Sequence, residues 1–414
     1  MPDIQRTDEF DPDQPEALSQ PDVVYGPLRE RCPVAWSSKY GGFWAATRYA
    51  DIEAITTDPA TFTTRQGIIV PKNPASGRRP PLHYDPPEHT LYRKAMNPAF
   101  RKDRLRRLAP LIRGVAAEMV AALASEGPES VVDIYRSFCS PFTSRVVCAL
   151  LNIPDRYVEQ LTVEMEEFET AQRARDDAVV ERYNLTLYEV CRAVVAERLG
   201  SPLAPDEDLV SGLLGLTIDG ERIHPETVTG SLRQILVAGH GAPALVTASA
   251  LEHLAADRAL QDEWRAHPDI VEAGIEEMLR LHTPNIGFAR TATRRVRLGD
   301  RSIEAGEMVA IVLPSANRDA SVFDRPDEFV VGRTERHLAF GHGVHVCPGS
   351  VIGRDELAVA LGALLSATEH FEVAGPVTYS PWPTAGPTSL ELRLRWRAPA
   401  HTAKRQGGDR SVRT

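Results

Sequence analysis

The sequence predicts a mainly α-helical fold with a few small β-sheets, and three observations carry that prediction. Apolar residues recur at three- and four-residue spacing over several long stretches. Strict alternation of apolar and polar residues is confined to a short segment near the C-terminus. The 32 prolines and 28 glycines are spread along 414 residues, marking many turns between elements rather than a low-complexity region.

Taken in order, Trp36 and the pair Phe43-Trp44, separated by Lys39-Tyr40-Gly41-Gly42, predict an early hairpin. Leu105, Leu108, Leu111/Ile112, Val115, Met119 and Leu123 form one helical stripe, and Val271, Ile275 and Met278/Leu279 form another. The longest helix begins at Pro225, a residue suited to the first helical position, and runs to about Asp257. Its roughly 32 residues would extend about 48 Å. Ala238-Gly239-His240-Gly241-Ala242-Pro243 is its weak spot, because Pro243 has no N–H for the carbonyl of Gly239 and two glycines add slack. Leu390, Leu392, Leu394 and Trp396 alternate with Glu391, Arg393 and Arg395, a half-buried strand. No internal repeat or long linker is visible. The expected organisation is one domain over 21–397, an acidic flexible segment over 1–20 and a flexible tail over 398–414.

Lys and Arg number 47 against 57 Asp and Glu, a formal charge of −10, which speaks against a nucleic-acid partner. Five cysteines, an odd number without a CxxC pair, speak against a disulfide framework or structural zinc and for a reducing compartment. No basic-then-apolar leader and no run of about 18 apolar residues is present, so a cytoplasmic, monomeric protein without a membrane span is expected.

The densest chemical signal is Phe340-Gly341-His342-Gly343-Val344-His345-Val346-Cys347-Pro348-Gly349. Three glycines and a proline around one cysteine describe a loop whose backbone approaches something flat or bulky. Backbone N–H groups turned toward the sulfur would favour a thiolate. A lone thiolate suits an axial ligand to heme iron, while a buried structural cysteine in a Gly-rich turn is the competing reading.

This stretch resembles the heme-binding loop of the cytochrome P-450 superfamily, FGxGxHxCxG, at every fixed position. The resemblance implies a single helical heme-thiolate fold with a long central helix over heme b (iron protoporphyrin IX). It implies Cys347 as the metal ligand, Phe340 and Gly349 beside it, and His345 facing a heme propionate. Glu277-Met278-Leu279-Arg280 resembles the family's ExxR, with Arg333 as third member of a structural network. His89-Thr-Leu-Tyr-Arg93 resembles HxxxR, whose His and Arg hold propionates, and Arg290 resembles a further propionate arginine. Asn317-Arg318-Asp319 sits where such proteins carry an ANRD segment. The likeness spans about residues 20 to 397.

The departure lies in the central helix, usually [AG]-G-x-[DE]-T in the family. Ala238, Gly239, Gly241 and Ala242 are the candidate catalytic positions. The first two match, but Gly241 and Ala242 stand where an acid and an alcohol would deliver protons. Thr247 lies about 140° round the helix from Ala242 and does not replace the hydroxyl. His240 is expected to be structural, and His342 is no ligand candidate. Three reactions stay open: hydroxylation or O-demethylation with substrate or water as proton relay, oxidative coupling of aromatic groups in a short peptide or cyclic dipeptide, and direct use of peroxide. The last is disfavoured because Ala242 lacks the arginine that peroxide-using members carry. A non-catalytic heme sensor is the rival from another class.

By the same resemblance the substrate pocket takes Ile68, Ile69, Val237, Ile286, Phe288 and Trp382, suggesting an apolar or aromatic natural-product guest. Arg65, Lys72, Arg78 and Arg79 in the first loop, among Ile68, Ile69 and Val70, would suit a carboxylate or peptide-like substrate, but solvated charges are the expected reading. A heme domain uses up the chain, so ferredoxin and ferredoxin reductase are implied as external partners, with O2 and a small-molecule or short-peptide substrate. Arg101, Arg104, Arg106, Arg107 and Arg354 are candidates for the docking face.

Overall fold

The helical stripes close into helices wherever one face can be buried. A computed structural model describes residues 9–19, 21–72 and 79–397, with only the backbone of Leu18 and Ser19. The helices that matter for the site are α1 (Pro21–Arg31), α2 (Tyr49–Thr57), α3 (Glu88–Met96), α4 (Lys102–Ala124), α5 (Ser140–Leu150), α6 (Val158–Ala174), α7 (Asp177–Gly200), α8 (Pro225–Ala238), α9 (Gly241–Ala256), α10 (Val271–Leu281) and α11 (Ser350–Ala367). Along α4 the inward residues are Leu105, Ile112, Ala116, Val120 and Leu123, while Leu111 faces out at 45% exposure. They share one core with α5, α9, α10 and α11. A second core joins α6, α7 and α8 through Leu161, Met165, Phe168, Leu187 and Leu232.

The early hairpin forms as β1 (Val34–Ser37) and β2 (Phe43–Ala46), with Trp36 opposite Trp44. It belongs to a five-stranded sheet in the order β1-β2-β6-β5-β3, where β3 is Phe62–Thr63, β5 Ala289–Ala292 and β6 Met308–Ile311. The alternating C-terminal segment is β8 (Glu391–Trp396), paired with β7 (Thr368–Val373) and β4 (Glu129–Asp133). Phe10 is 1% exposed, packed against Tyr25, Phe43 and Trp382. The packed body therefore starts by residue 9, inside the segment expected to be flexible, because this ring has an apolar niche to fill. The rest of that segment (1–8 and 20), Arg78 and the 398–414 tail lie outside the described residues.

The long helix is broken where its chemistry is weakest. Pro225 opens α8, with the His224 ring accepting from the Glu226 N–H. The axis gives way at Gly239 and His240, whose φ/ψ are −82/−4° and −97/−65°. Gly239 is confined as well as slack, since a Cβ there would meet Val147 at 2.5 Å. By length and composition the run Pro225–Ala256 could cross a membrane, but most of it is buried inside the fold.

Candidate active site

The cysteine loop is shaped by two left-handed glycines, Gly341 (φ 73°) and Gly343 (φ 67°). A Cβ at Gly343 would fall on the backbone carbonyl of Thr56 in α2, so only glycine fits. The Cys347 N–H closes the loop onto the Phe340 carbonyl at 2.8 Å. Burial pushes the Cys347 thiol up, while the Gly349 N–H and the Arg93 and Arg354 guanidiniums pull it back toward the thiolate. The loop from Gly341 to Ser350 is half-buried throughout. Cys139, Cys148 and Cys191 are fully packed, and burial, the largest cause, lifts the thiols of Cys148 and Cys191 to about 12. Phe340 lies under the Arg354 guanidinium at 4.5 Å and against Gly353.

His89 and Arg93 from α3, Arg290 from β5 and His345 from the cysteine loop converge from three segments. The rings of His89 and His345 are 4.4 Å apart, His345 Nε2 is 3.4 Å from Thr64 Oγ1, and Arg93 donates to the Val346 carbonyl at 3.0 Å. Arg290 is buried and bonds the adjacent Ala289 carbonyl, and His89 Nε2 is buried with no partner among the described residues. Burial and the neighbouring cations hold His89 down at about 4 and His345 at about 2. The nearest carboxylate, Asp85, is engaged by Thr63, Thr64 and Arg65. This cluster carries more cationic capacity than its own acids neutralise, the pattern a bound dianion would satisfy.

Behind the loop, Glu277 and Arg280 meet across one turn of α10, with Arg280 Nε and Nη2 at 2.6 and 2.8 Å from the carboxylate. Arg333 Nε at 3.0 Å and the Val330 N–H at 2.9 Å complete it. Burial would raise Glu277; Arg280, Val330 and Arg333 together hold it below the ordinary carboxylate range. Arg280 also donates to the carbonyls of Asn317, Pro326 and Glu328. Asn317 in turn accepts from the Leu338 N–H at 2.6 Å, two residues before Phe340, so the network reaches the cysteine loop.

At the helix break, His240 is fully buried, its Nε2 3.0 Å from Ser140 Oγ and its Nδ1 3.2 Å from Glu169 Oε1. The tautomer that satisfies both carries hydrogen on Nδ1 and accepts from Ser140. Thr247 donates to the Pro243 carbonyl at 2.8 Å, so its hydroxyl is already spent. Sequence reasoning missed Glu169. A Cβ at Gly241 would land inside its carboxylate, which places an acid from α6 in the space an acidic side chain at 241 would fill. The available signal was its place one turn after Met165 on the inward face of α6.

Three other expectations are corrected. Ile286 (0% exposed) and Trp382 (2%) are core rather than pocket, Trp382 stacking on Phe43 at 5.8 Å and donating to the Val70 carbonyl. Ile68, Ile69, Val237 and Phe288 keep accessible surface, with Ile69 bridged to Phe288. Arg104 is not on a docking face: it is 3% exposed and bonds the carbonyls of Ala99, Leu150 and Glu207. Arg101 and Arg107 are exposed in pairs with Asp103 and Glu207, Arg106 is exposed, and Arg354 is held by Glu276. Arg79 is buried rather than solvated.

Comparison with known proteins shows the family. A family model described as Cytochrome P450 matches residues 246–381. Cyclomarin C epoxidase from Salinispora arenicola is 31% identical over 362 residues, spanning 85% of this chain and 90% of its own. The chain belongs to the cytochrome P450 family. Mycinamicin VIII C21 methyl hydroxylase from Micromonospora griseorubida is also 31% identical, over 84% of this chain and 89% of its own. Among solved structures, a cytochrome P450 from Chondromyces apiculatus superposes with a TM-score of 0.83 at 28% identity, covering 94% of this chain and 99% of that one. This P450 is therefore an oxidoreductase of the monooxygenase type, with a heme-iron cofactor, O2, redox partners and a small-molecule substrate. Its residues fit that cofactor: one thiol turned toward a backbone N–H and a guanidinium, and a buried basic cluster with an orphaned His89 Nε2 where two propionates would need donors.

Proposed function

We propose that this P450 is a cytoplasmic heme b enzyme, fed by an external ferredoxin, that hydroxylates or O-demethylates an apolar or aromatic natural-product molecule. The observation that carries the proposal is the Cys347 thiol beside the Gly349 N–H and Arg93. When bound, heme activates O2 with two electrons, so that substrate, O2, two electrons and two protons give oxidised substrate and water. Cys347 would hold the iron, and His89, Arg93, Arg290 and His345 would hold the propionates. Glu277, Arg280 and Arg333 fix the loop from behind. Redox partners meet the face beside Arg354, where a groove of about 270 Å³ is lined by Phe340 and Val346.

Glu169 supplies the protons that an acid at position 241 would otherwise deliver. Its side chain is 12% exposed, linked outward to Arg173 at 3.7 Å and fixed by His240, so it can take a proton from the α6 surface and hold it beside Gly241. Ser140 and His240 position the carboxylate rather than carry the proton. Electrons recovered as product, against electrons consumed, test this. Glu169→Gln should lower that ratio about tenfold or more, and Gly241→Asp combined with Glu169→Ala should restore part of it. A Glu169→Gln variant as well coupled as the parent would refute the relay.

A further inference from the structure

Away from the cysteine loop, two buried arginines have no carboxylate partner among the described residues. Arg233 projects from α8 and is 3% exposed; Arg79 precedes Pro80 at the start of the α3 approach and is 9% exposed. Burial holds both below the ordinary arginine value, and Arg79 lowers Arg233 further. The electrostatic neighbours of Arg233 are Arg79, Tyr188 and Cys191; that of Arg79 is Tyr188. No carboxylate is among them. Glu164, the nearest buried acid on α6, interacts instead with Gln160 and Glu189.

Among the described residues neither guanidinium makes an ion pair, and the Nε of each is buried without a partner. Arg233 lies over the Phe168 ring at 4.7 Å and near the Tyr188 ring at 5.9 Å. Aromatic stacking occupies the face of a guanidinium and leaves its N–H edge, where the hydrogen-bond donors lie, still in need of acceptors. One turn from Tyr188 along α7, Asn184 is 7% exposed and its Oδ1 also lacks a partner. Arginine does not shed its proton at neutral pH, so two such cations in an apolar interior ask for an anion from outside the chain.

We infer that Arg79 and Arg233 bind the oxyanion of an elongated, otherwise apolar substrate, a carboxylate in the first instance, with Phe168 and Tyr188 covering its stem. Nine positions separate Arg233 on α8 from Ala242 on α9; at helical rise that is at most about 13 Å, shortened by the bend at Gly239 and His240. A ligand anchored at the arginines and oxidised beside Ala242 therefore spans roughly ten bonds. The inference rests on the oxygenase reading for the fate of the far end only; the anion site stands or falls on binding.

The test is calorimetric titration and thermal melting of the purified heme-loaded protein with decanoate, methyl decanoate, decyl phosphate and decylamine, each below its aggregation threshold. Decanoate or decyl phosphate should bind at least about tenfold tighter than the ester and the amine, and the tighter of the two identifies the natural oxyanion. Arg233→Met and Arg79→Met should each lower anion affinity about tenfold while leaving the ligand-free melting temperature unchanged or raised, since each removes an uncompensated buried charge. Arg233→Lys should keep part of the affinity. Equal binding of acid, ester and amine would overturn the inference, as would unchanged anion affinity in both methionine variants. A reduced carbonyl spectrum of every variant keeps the two readings apart, because loss of heme ligation would alter it and loss of the anion site would not.

Discussion

Replacing Glu277 by glutamine removes one charge from the most densely bonded ion cluster behind the cysteine loop. The carboxylate accepts four hydrogen bonds, two from Arg280, one from Arg333 and one from the Val330 N–H. Glutamine keeps the volume but turns an N–H group toward a guanidinium and leaves two cations unneutralised, with Arg280 only 1% exposed. Breaking a buried pair by losing one partner costs about 3–5 kcal/mol. Unfolding entropy of about 2 cal/mol/K per residue over 414 residues converts that into a melting shift of about 3–6 °C. Calorimetric melting of Glu277→Gln against the parent measures it, with Arg258→Ala as control, because the exposed Arg258–Asp262 pair should contribute nothing detectable. Heme content should fall too, since Asn317 ties the network to the loop through Leu338. A shift below about 1 °C with full heme content would refute the reasoning.

Gly343→Ala should cost at least about 2 kcal/mol and most of the bound heme, from a left-handed backbone plus a Cβ lodged on the Thr56 carbonyl; a variant melting with the parent would contradict this. The half-buried His253 and His282 rings share a 3.1 Å hydrogen bond, and burial holds both below their ordinary value. A depressed folded-state pKa means stability that is complete above about pH 6.5 and lost as pH falls below it, by up to about 1.4 kcal/mol per pH unit per proton. Denaturant titrations at pH 7 and pH 5 should show a smaller pH dependence in His282→Asn than in the parent, and an identical dependence would exclude this pair as the source.

What the sequence disclosed was whatever is decided locally. The break after Ala238 follows from a missing N–H at Pro243, and the hairpin from aromatics flanking two glycines. The ten residues from Phe340 to Gly349 carry their own backbone conformation, and the Glu277–Arg280 pair is one helical turn. Contacts between distant segments were not legible. Arg104 reads as one more charge on an amphipathic helix, but three backbone carbonyls from separate segments draw it inside. Trp382 and Ile286 read as pocket walls until Phe10 and Phe43 pack against the tryptophan. Glu169 stands 71 positions from His240 in a run of acidic residues that looks solvated. Arg233, between Leu232 and Gln234, resembles a polar helix face, and only the packing of α6 and α7 over it makes it interior.

The whole scheme turns on which atom of the protein reaches the iron. Reduced, carbon monoxide-treated protein, compared between the parent and Cys347→His with heme content matched, reads that atom directly. The parent should show the long-wavelength absorption of a thiolate-bound carbonyl heme, and the variant should move to the shorter wavelength of imidazole ligation. The same long-wavelength band in both proteins, or its absence from a heme-replete parent, would contradict Cys347 as the ligand.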